Sequence, residues 1–383
     1  MFITVVGAVL LVAGTWAAFR LAPRGQGAPG AGWFPDPSST AARQRRWDGS
    51  TWGDEVVDGG APADRGRRFR GRFWGPWVGW VAASAVVLLA GTTVYRSTGQ
   101  VHVLAATSLV GMALFGWAFY RFVNRQLALD HVVRPVQLVA VAAASAGATL
   151  LVAANVNAWI IAGPGIRTAT ATVGLVEEGT KLLVPLVLLA LGCYRDPRAG
   201  IGLGLASGIG FAVAETTQYA YTLPTATAPS FCGGMSVSPD AGSVVAAQVQ
   251  RVFLVSPLHW LWTGIACAIA WRLWHLRGRR GTLGAVAGFA LVAVVHSLND
   301  SSITAFCGHP TAAEAVGVLK YALLPAMYLV FRAWARTSEP PQLIARTSRG
   351  WTPRHLPTRT VTATTPVGSD TPAGTGQGTA PAV

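Results

Sequence analysis

The sequence predicts an all-α polytopic membrane protein of about nine transmembrane helices, with a small cytoplasmic Trp-rich module and a disordered C-terminal tail. Three observations predict it. Hydrophobic residues make up 51% of the 383 positions and charged residues only 12%, against about 25% charged in soluble domains. The apolar residues gather in runs long enough to cross roughly 30 Å of hydrocarbon. The basic residues behind a formal net charge of +14 lie in short stretches between those runs. That placement follows the positive-inside rule and argues against nucleic-acid binding, which the charge alone would suggest.

The apolar runs cover 1–19, 74–95, 101–122, 136–162, 170–193, 200–222, 251–271, 282–306 and 311–333. The first lacks a basic leader and a clean small-residue cleavage site before Arg20, so it reads as a signal anchor rather than a cleaved peptide. The segment 20–73 holds ten arginines, from Arg20 to Arg72, and is expected in the cytoplasm. Counting forward, Arg121, Arg125, Arg134, Arg195, Arg198, Arg272, Arg277, Arg279, Arg280, Arg332 and Arg336 all fall on that same side. The opposite side receives 96–100, 163–169, 223–250 and 307–310, with few basic residues. The N-terminus is therefore expected outside and the C-terminus inside.

Within the cytoplasmic segment, residues 32–56 place Trp33, Phe34, Trp47 and Trp52 in a frame of Pro, Asp and Gly turn signals. This is a small aromatic-stapled module, and a docking role fits it as well as a purely structural one. Residues 74–135 form two accessory helices. The stretch 336–383 is rich in Thr, Pro, Gly and Ala and reads as a disordered tail.

Four successive runs carry ionisable groups that a bilayer tolerates poorly. The fifth has Glu177, Glu178 and Lys181; the sixth Glu215, with Tyr219 a turn later; the seventh His259, with Thr263 a turn later; the eighth His296 and Asp300, with Asn299 between them. Residues three or four apart share a helix face, so Lys181 can pair with either glutamate, and His296 and Asp300 can enter one cavity. In the expected topology all of them fall at similar depth, toward the extracytoplasmic side. Structural glue between helices is one use of such groups; an ion path or transport route is another. The coincidence of depth favours a shared chemical site.

GLVEEGTKLL with its EExxK at 177–181, FAVAE at 211–215, SPLHWLWTG around His259 and HSLND at 296–300 together resemble the PrsW family of intramembrane proteases. That family is related to the CAAX prenyl-protease and bacteriocin-immunity membrane proteins. The resemblance covers roughly 136–335. In related proteins the last element reads HxxxN; here Asp300 stands in the Asn place. The Trp-rich stretch resembles a short domain of unknown function common in actinobacterial membrane proteins, which together with the Ala-, Gly- and Arg-rich composition implies an actinobacterial origin.

The resemblance implies an endopeptidase that cuts a membrane-anchored protein, in some members an anti-sigma factor. It implies catalytic roles for Glu177, Glu178, Lys181, Glu215, His259, His296 and Asp300. Glu177 or Glu178 would act as general base with His259 on a water. His and carboxylate donors suit zinc, with Glu178, His259 and His296 as the expected ligands, although no HExxH run is present and a metal-free glutamate mechanism fits the same residues. Cys232 and Cys307 fall in predicted extracytoplasmic loops, where a disulfide would be permitted and would tie the 223–250 loop over the site.

Overall fold

A computed structural model describes residues 2–23, 32–35, 43–47, 52–58, 75–127, 129, 132–194, 197–225, 239–306 and 309–336. The expected Cys232–Cys307 bond and the tail beyond Arg336 lie outside them. Cys193 and Cys267, both buried, are free thiols.

Eleven helices carry the described chain. They are α1 (Phe2–Leu21), α2 (Pro76–Thr98), α3 (Val101–Leu127), α4 (Pro135–Ala148), α5 (Ala154–Ala162), α6 (Ile166–Ala190), α7 (Ala199–Thr222), α8 (Ala241–Gln250), α9 (Ser256–Arg277), α10 (Thr282–Ala305) and α11 (Pro310–Arg336). A π-helical turn over Thr149–Ala153 joins α4 to α5, and a second over Arg251–Val255 joins α8 to α9. Eight of the resulting segments are long and apolar enough to cross a membrane. α6, of 25 residues, stands apart from those eight because Glu177, Glu178 and Lys181 interrupt its hydropathy. The protein is a multi-pass membrane protein.

The Trp-rich module contains a three-stranded antiparallel sheet, β1 (Gly32–Pro35), β2 (Arg43–Trp47) and β3 (Trp52–Asp58), in that order. Trp47 and Trp52 are partners in the β2–β3 backbone register, and Arg46 pairs with Glu55 at 3.0 Å. Cross-strand charged pairs of this kind contribute to sheet stabilisation.

The helical ends differ from expectation in one informative place. Residues 239–250 were assigned to a loop; instead Asp240 caps α8, accepting from the backbone N–H groups of Gly242 and Ser243 at 2.7 and 3.0 Å. The Ser243 hydroxyl and these amides hold its carboxyl below the usual carboxylate range. Gln248 and Gln250 depress the hydropathy of this stretch, which is why a sequence window stops short. Gln248 is buried against α7 and reaches the Thr216 carbonyl at 3.4 Å.

α7 is the most enclosed span. Its glycines let α9 approach closely. Gly200, Gly204 and Gly208 form one ridge at four-residue spacing, and an added Cβ at each would meet Cys267 or Trp271, Cys267 or Thr263, and Trp260, all at 2.6–2.9 Å. Without water to drive helices together, such small-residue stripes set the contact distance within a bilayer. The contact sets His259 of α9 beside Lys181 of α6.

Gly174 does the same for α6 and α10. An added Cβ there would collide with the Ala293 carbonyl oxygen, and its N–H donates to the Ser297 hydroxyl at 3.0 Å. One turn further along, α6 and α10 bring Glu178 to His296. Gly174→Ala is expected to destabilise the protein by ~1–3 kcal/mol through overpacking. Gly179→Ala, whose Cβ would meet nothing within 4 Å, should leave stability unchanged or slightly raised. Thermal unfolding of the two purified variants in lipid checks the contrast; equal stability would show that the α6–α10 contact is not tight.

Candidate active site

Four helices converge on one buried polar cluster. Glu177, Glu178 and Lys181 come from the middle of α6, Glu215 from the C-terminal part of α7, His259 from α9 and His296 from α10. Phe211, Trp262 and the Trp262–His296 ring contact at 4.6 Å wall it with aromatic surface.

Glu178 is completely enclosed, and its oxygens are fully engaged. Oε1 accepts from Lys181 Nζ at 2.7 Å and from His296 Nδ1 at 3.0 Å; Oε2 accepts from the Thr263 hydroxyl at 2.9 Å. A carboxylate with three such donors is a structural anchor. Its bond to His296 also fixes that ring's chemistry. A carboxylate only accepts, so Nδ1 carries the proton, and whenever the ring is neutral Nε2 keeps its lone pair.

That Nε2 is buried with no hydrogen-bond partner. It faces Glu177 Oε2 at 3.5 Å, which is likewise buried and without a hydrogen bond. Two acceptor atoms facing each other in the interior repel unless a proton or cation lies between them. The other oxygen of Glu177, Oε1, accepts from Asn157 Nδ2 of α5 at 3.2 Å.

Lys181 is buried and sits centrally. Its ammonium contacts Glu178 Oε1, lies 3.6 Å from Glu177 Oε2 and 2.9 Å from His259 Nδ1, and stands 4.0 Å over the Phe211 ring. The Ser207 hydroxyl donates to the Lys181 carbonyl, tying α7 to this turn.

Glu215 occupies the far side. Its Oε2 pairs with Arg251 Nη2 at 2.7 Å and lies 3.9 Å from His259 Nε2. The Arg251 guanidinium also stacks 3.7 Å over the Tyr219 ring. Asp300 accepts from its neighbour Asn299 at 2.7 Å, and Lys320 of α11 reaches the Asn299 carbonyl and the Ser302 hydroxyl at 3.1 Å each. Asp300 is not among the three residues whose ligand atoms converge.

Those three are Glu177, His259 and His296, with one ligand atom from each lying within 4.8 Å of the others. Among the described residues this is the one group able to hold a metal ion. The carboxylate placed with the two histidines is thus Glu177, where the sequence suggested Glu178; the helix turns adjacent glutamates about 100° apart, and only one can face the histidine pair while the other backs it. The donor set fits a divalent cation. It comprises two imidazoles and a carboxylate, with two facing acceptor atoms that have no hydrogen-bond partner. The hydrogen bond from His296 Nδ1–H to Glu178 is the outer support that metal-binding histidines commonly have.

Arg251, at the start of an apolar run, and Asn157, in a run without ionisable groups, are not among the site residues the sequence predicts. An arginine two turns before His259 on the same helix was the available signal for the first. Asn157 gave none.

Residues 130–331 match the PrsW family intramembrane metalloproteases, and residues 31–65 match a protein domain of unknown function, DUF2510. The chain belongs to the PrsW family. The match covers more than half of the chain and includes every residue of the buried cluster. No curated protein and no solved structure matches it. As a PrsW protein the chain is an intramembrane protease, acting on a membrane-embedded protein within the bilayer, and its Glu/His group is able to hold the metal that the family description names.

Proposed function

We propose that the buried cluster hydrolyses a peptide bond of a membrane-anchored substrate toward the extracytoplasmic face, with the chain's N-terminus outside and its C-terminus in the cytoplasm. An anti-sigma factor is the substrate class that the family resemblance suggests. The arginine distribution supports the orientation. The observation that carries the chemistry is the facing pair Glu177 Oε2 and His296 Nε2, 3.5 Å apart inside the protein and neither in a hydrogen bond.

Glu177, His259 and His296 would hold the metal, with zinc the ion that the donor set suits best. Bound there, it supplies a nucleophilic water at neutral pH and positive charge for the substrate carbonyl. The protein's own residues do the rest. Glu178 and Thr263 hold His296 in the Nδ1–H tautomer. Glu215, pinned by Arg251 beside His259, takes the water's proton and returns it to the leaving amine nitrogen. Lys181 offsets the charge of the paired glutamates. The aromatic walls and the depth of the cluster limit bulk water, which strengthens each of these interactions.

One observation favours a second reading without metal. Lys181 Nζ, which can only donate, lies 2.9 Å from His259 Nδ1 and occupies the lone pair there. In that case Glu177 Oε2 itself activates the water.

Cleavage of candidate single-span proteins by the purified enzyme in lipid tests the proposal, with metal content measured on the same samples. His259→Ala is expected to lower cleavage at least ~100-fold and to remove the bound zinc. Full cleavage by a metal-free sample would select the second reading. Unchanged cleavage by folded His259→Ala would exclude the site.

A further inference from the structure

Asn157 lies in the outer part of a helix whose sequence, ANVNAWIIA, offers no chemical motif. Its side chain nevertheless meets the working carboxylate of the cluster, donating from Nδ2 to Glu177 Oε1 at 3.2 Å. The assignment of nitrogen and oxygen follows from chemistry, because a carboxylate needs a donor. Its Oδ1 is buried without a partner.

The π-helical turn preceding α5 is what delivers it. Along α4 buried positions include Leu138, Val141, Ser145 and Thr149, and beyond the turn they fall at Ala153 and Ile160, with Val152 and Trp159 exposed. The turn is closed by the Ala154 N–H bonding to the Thr149 carbonyl, five residues back. The extra residue rotates everything beyond it by about 100°, so Asn157 turns inward and Asn155 outward. Asn155 then spends its amide on its own helix, donating to the Leu150 and Leu151 carbonyls at 3.2 and 2.9 Å. One asparagine stays on its own helix, and the other crosses to α6.

We propose that Asn157 is a positioning residue for Glu177. By engaging Oε1 it selects Oε2 as the oxygen presented to His296 and His259, and it holds the carboxylate plane there. This rests on the reading of Glu177 as the working carboxylate. Hydrogen bonds that hold ligating carboxylates are worth about 10–100-fold in metal affinity or activity.

The test uses the full chain in lipid, with Asn157→Leu, Asn155→Leu and Glu177→Gln compared with the native protein. Cobalt(II) titration reports metal affinity, and substrate cleavage reports kcat and KM separately. Asn157→Leu, which keeps the side chain's size and removes its donor, is expected to weaken cobalt binding and lower kcat, each by about 10–100-fold, with KM little changed. Asn155→Leu should do neither, and Asn157→Gln should recover part of the loss by restoring a donor. Native cobalt affinity and kcat in folded Asn157→Leu, alongside loss of both in Glu177→Gln, would overturn the role of Asn157 while leaving the site intact. If Glu177→Gln also behaved as the native protein, the site assignment would fail and this inference with it. If the native protein bound no cobalt, kcat alone would decide.

Discussion

Glu177→Gln is expected to reduce cleavage by about 10³-fold while leaving the protein folded. General acid–base groups contribute about 10²–10⁴-fold, and loss of a metal ligand removes activity of the same order or more. The amide keeps the shape of the side chain and can still meet Asn157 through its carbonyl oxygen. It replaces Glu177 Oε2, the oxygen 3.5 Å from His296 Nε2, with a neutral group. It thereby removes one of two like charges carried on successive residues and shared by a single lysine, so stability should stay within ~1 kcal/mol of native. The measurement is single-turnover cleavage in lipid with thermal unfolding of the same preparation. Cleavage within a few-fold of native would show that this carboxylate takes no part in the chemistry under either reading of the metal.

Glu178→Ala is expected to act on stability first. It strips the acceptor from the Lys181 ammonium, the His296 Nδ1–H and the Thr263 hydroxyl at once. Breaking a buried ion pair by deleting one partner costs ~3–5 kcal/mol, because the survivor is left charged and unpaired. Lys181 is among the largest fully buried side chains in the protein, and it would keep only the longer ion pair to Glu177 Oε2, at 3.6 Å. Reversible unfolding in mixed micelles should show the loss. Lys181→Met combined with Glu178→Ala should recover much of it, since a buried pair replaced by apolar side chains is often neutral. A Glu178→Ala protein as stable as native, yet inactive, would mean that this residue works in the chemistry and not beneath it. The contrast between two adjacent glutamates, one removable without unfolding and one not, is the sharpest consequence of the geometry.

Arg251 shows how position within a membrane can be misjudged from sequence. It stands at the end of an apolar run, where arginines usually reach toward water. Ten residues of helix lie before it, capped by Asp240, so it sits inside the bundle, paired with Glu215 and stacked on Tyr219. The π-helical turn that starts at Arg251 is the second such insertion, and both adjoin a residue that clamps a site carboxylate. Such insertions recur at functional sites.

The sequence by itself determined that this chain crosses a membrane several times, because hydropathy and the placement of arginine are additive along the chain. It also marked four runs as candidates for the chemistry, because an ionisable residue in an apolar run is conspicuous wherever it lies, and four such elements in order resemble one family. That Glu177 has a ligand atom grouped with both histidines while Glu178 does not is a matter of helix azimuth, which composition does not carry. The parts played by Asn157 and Arg251 depend on an extra residue in a helical turn, which rotates a face without changing composition or period enough to be read. Only packing decides such rotations, since each follows from contacts between segments far apart in the chain.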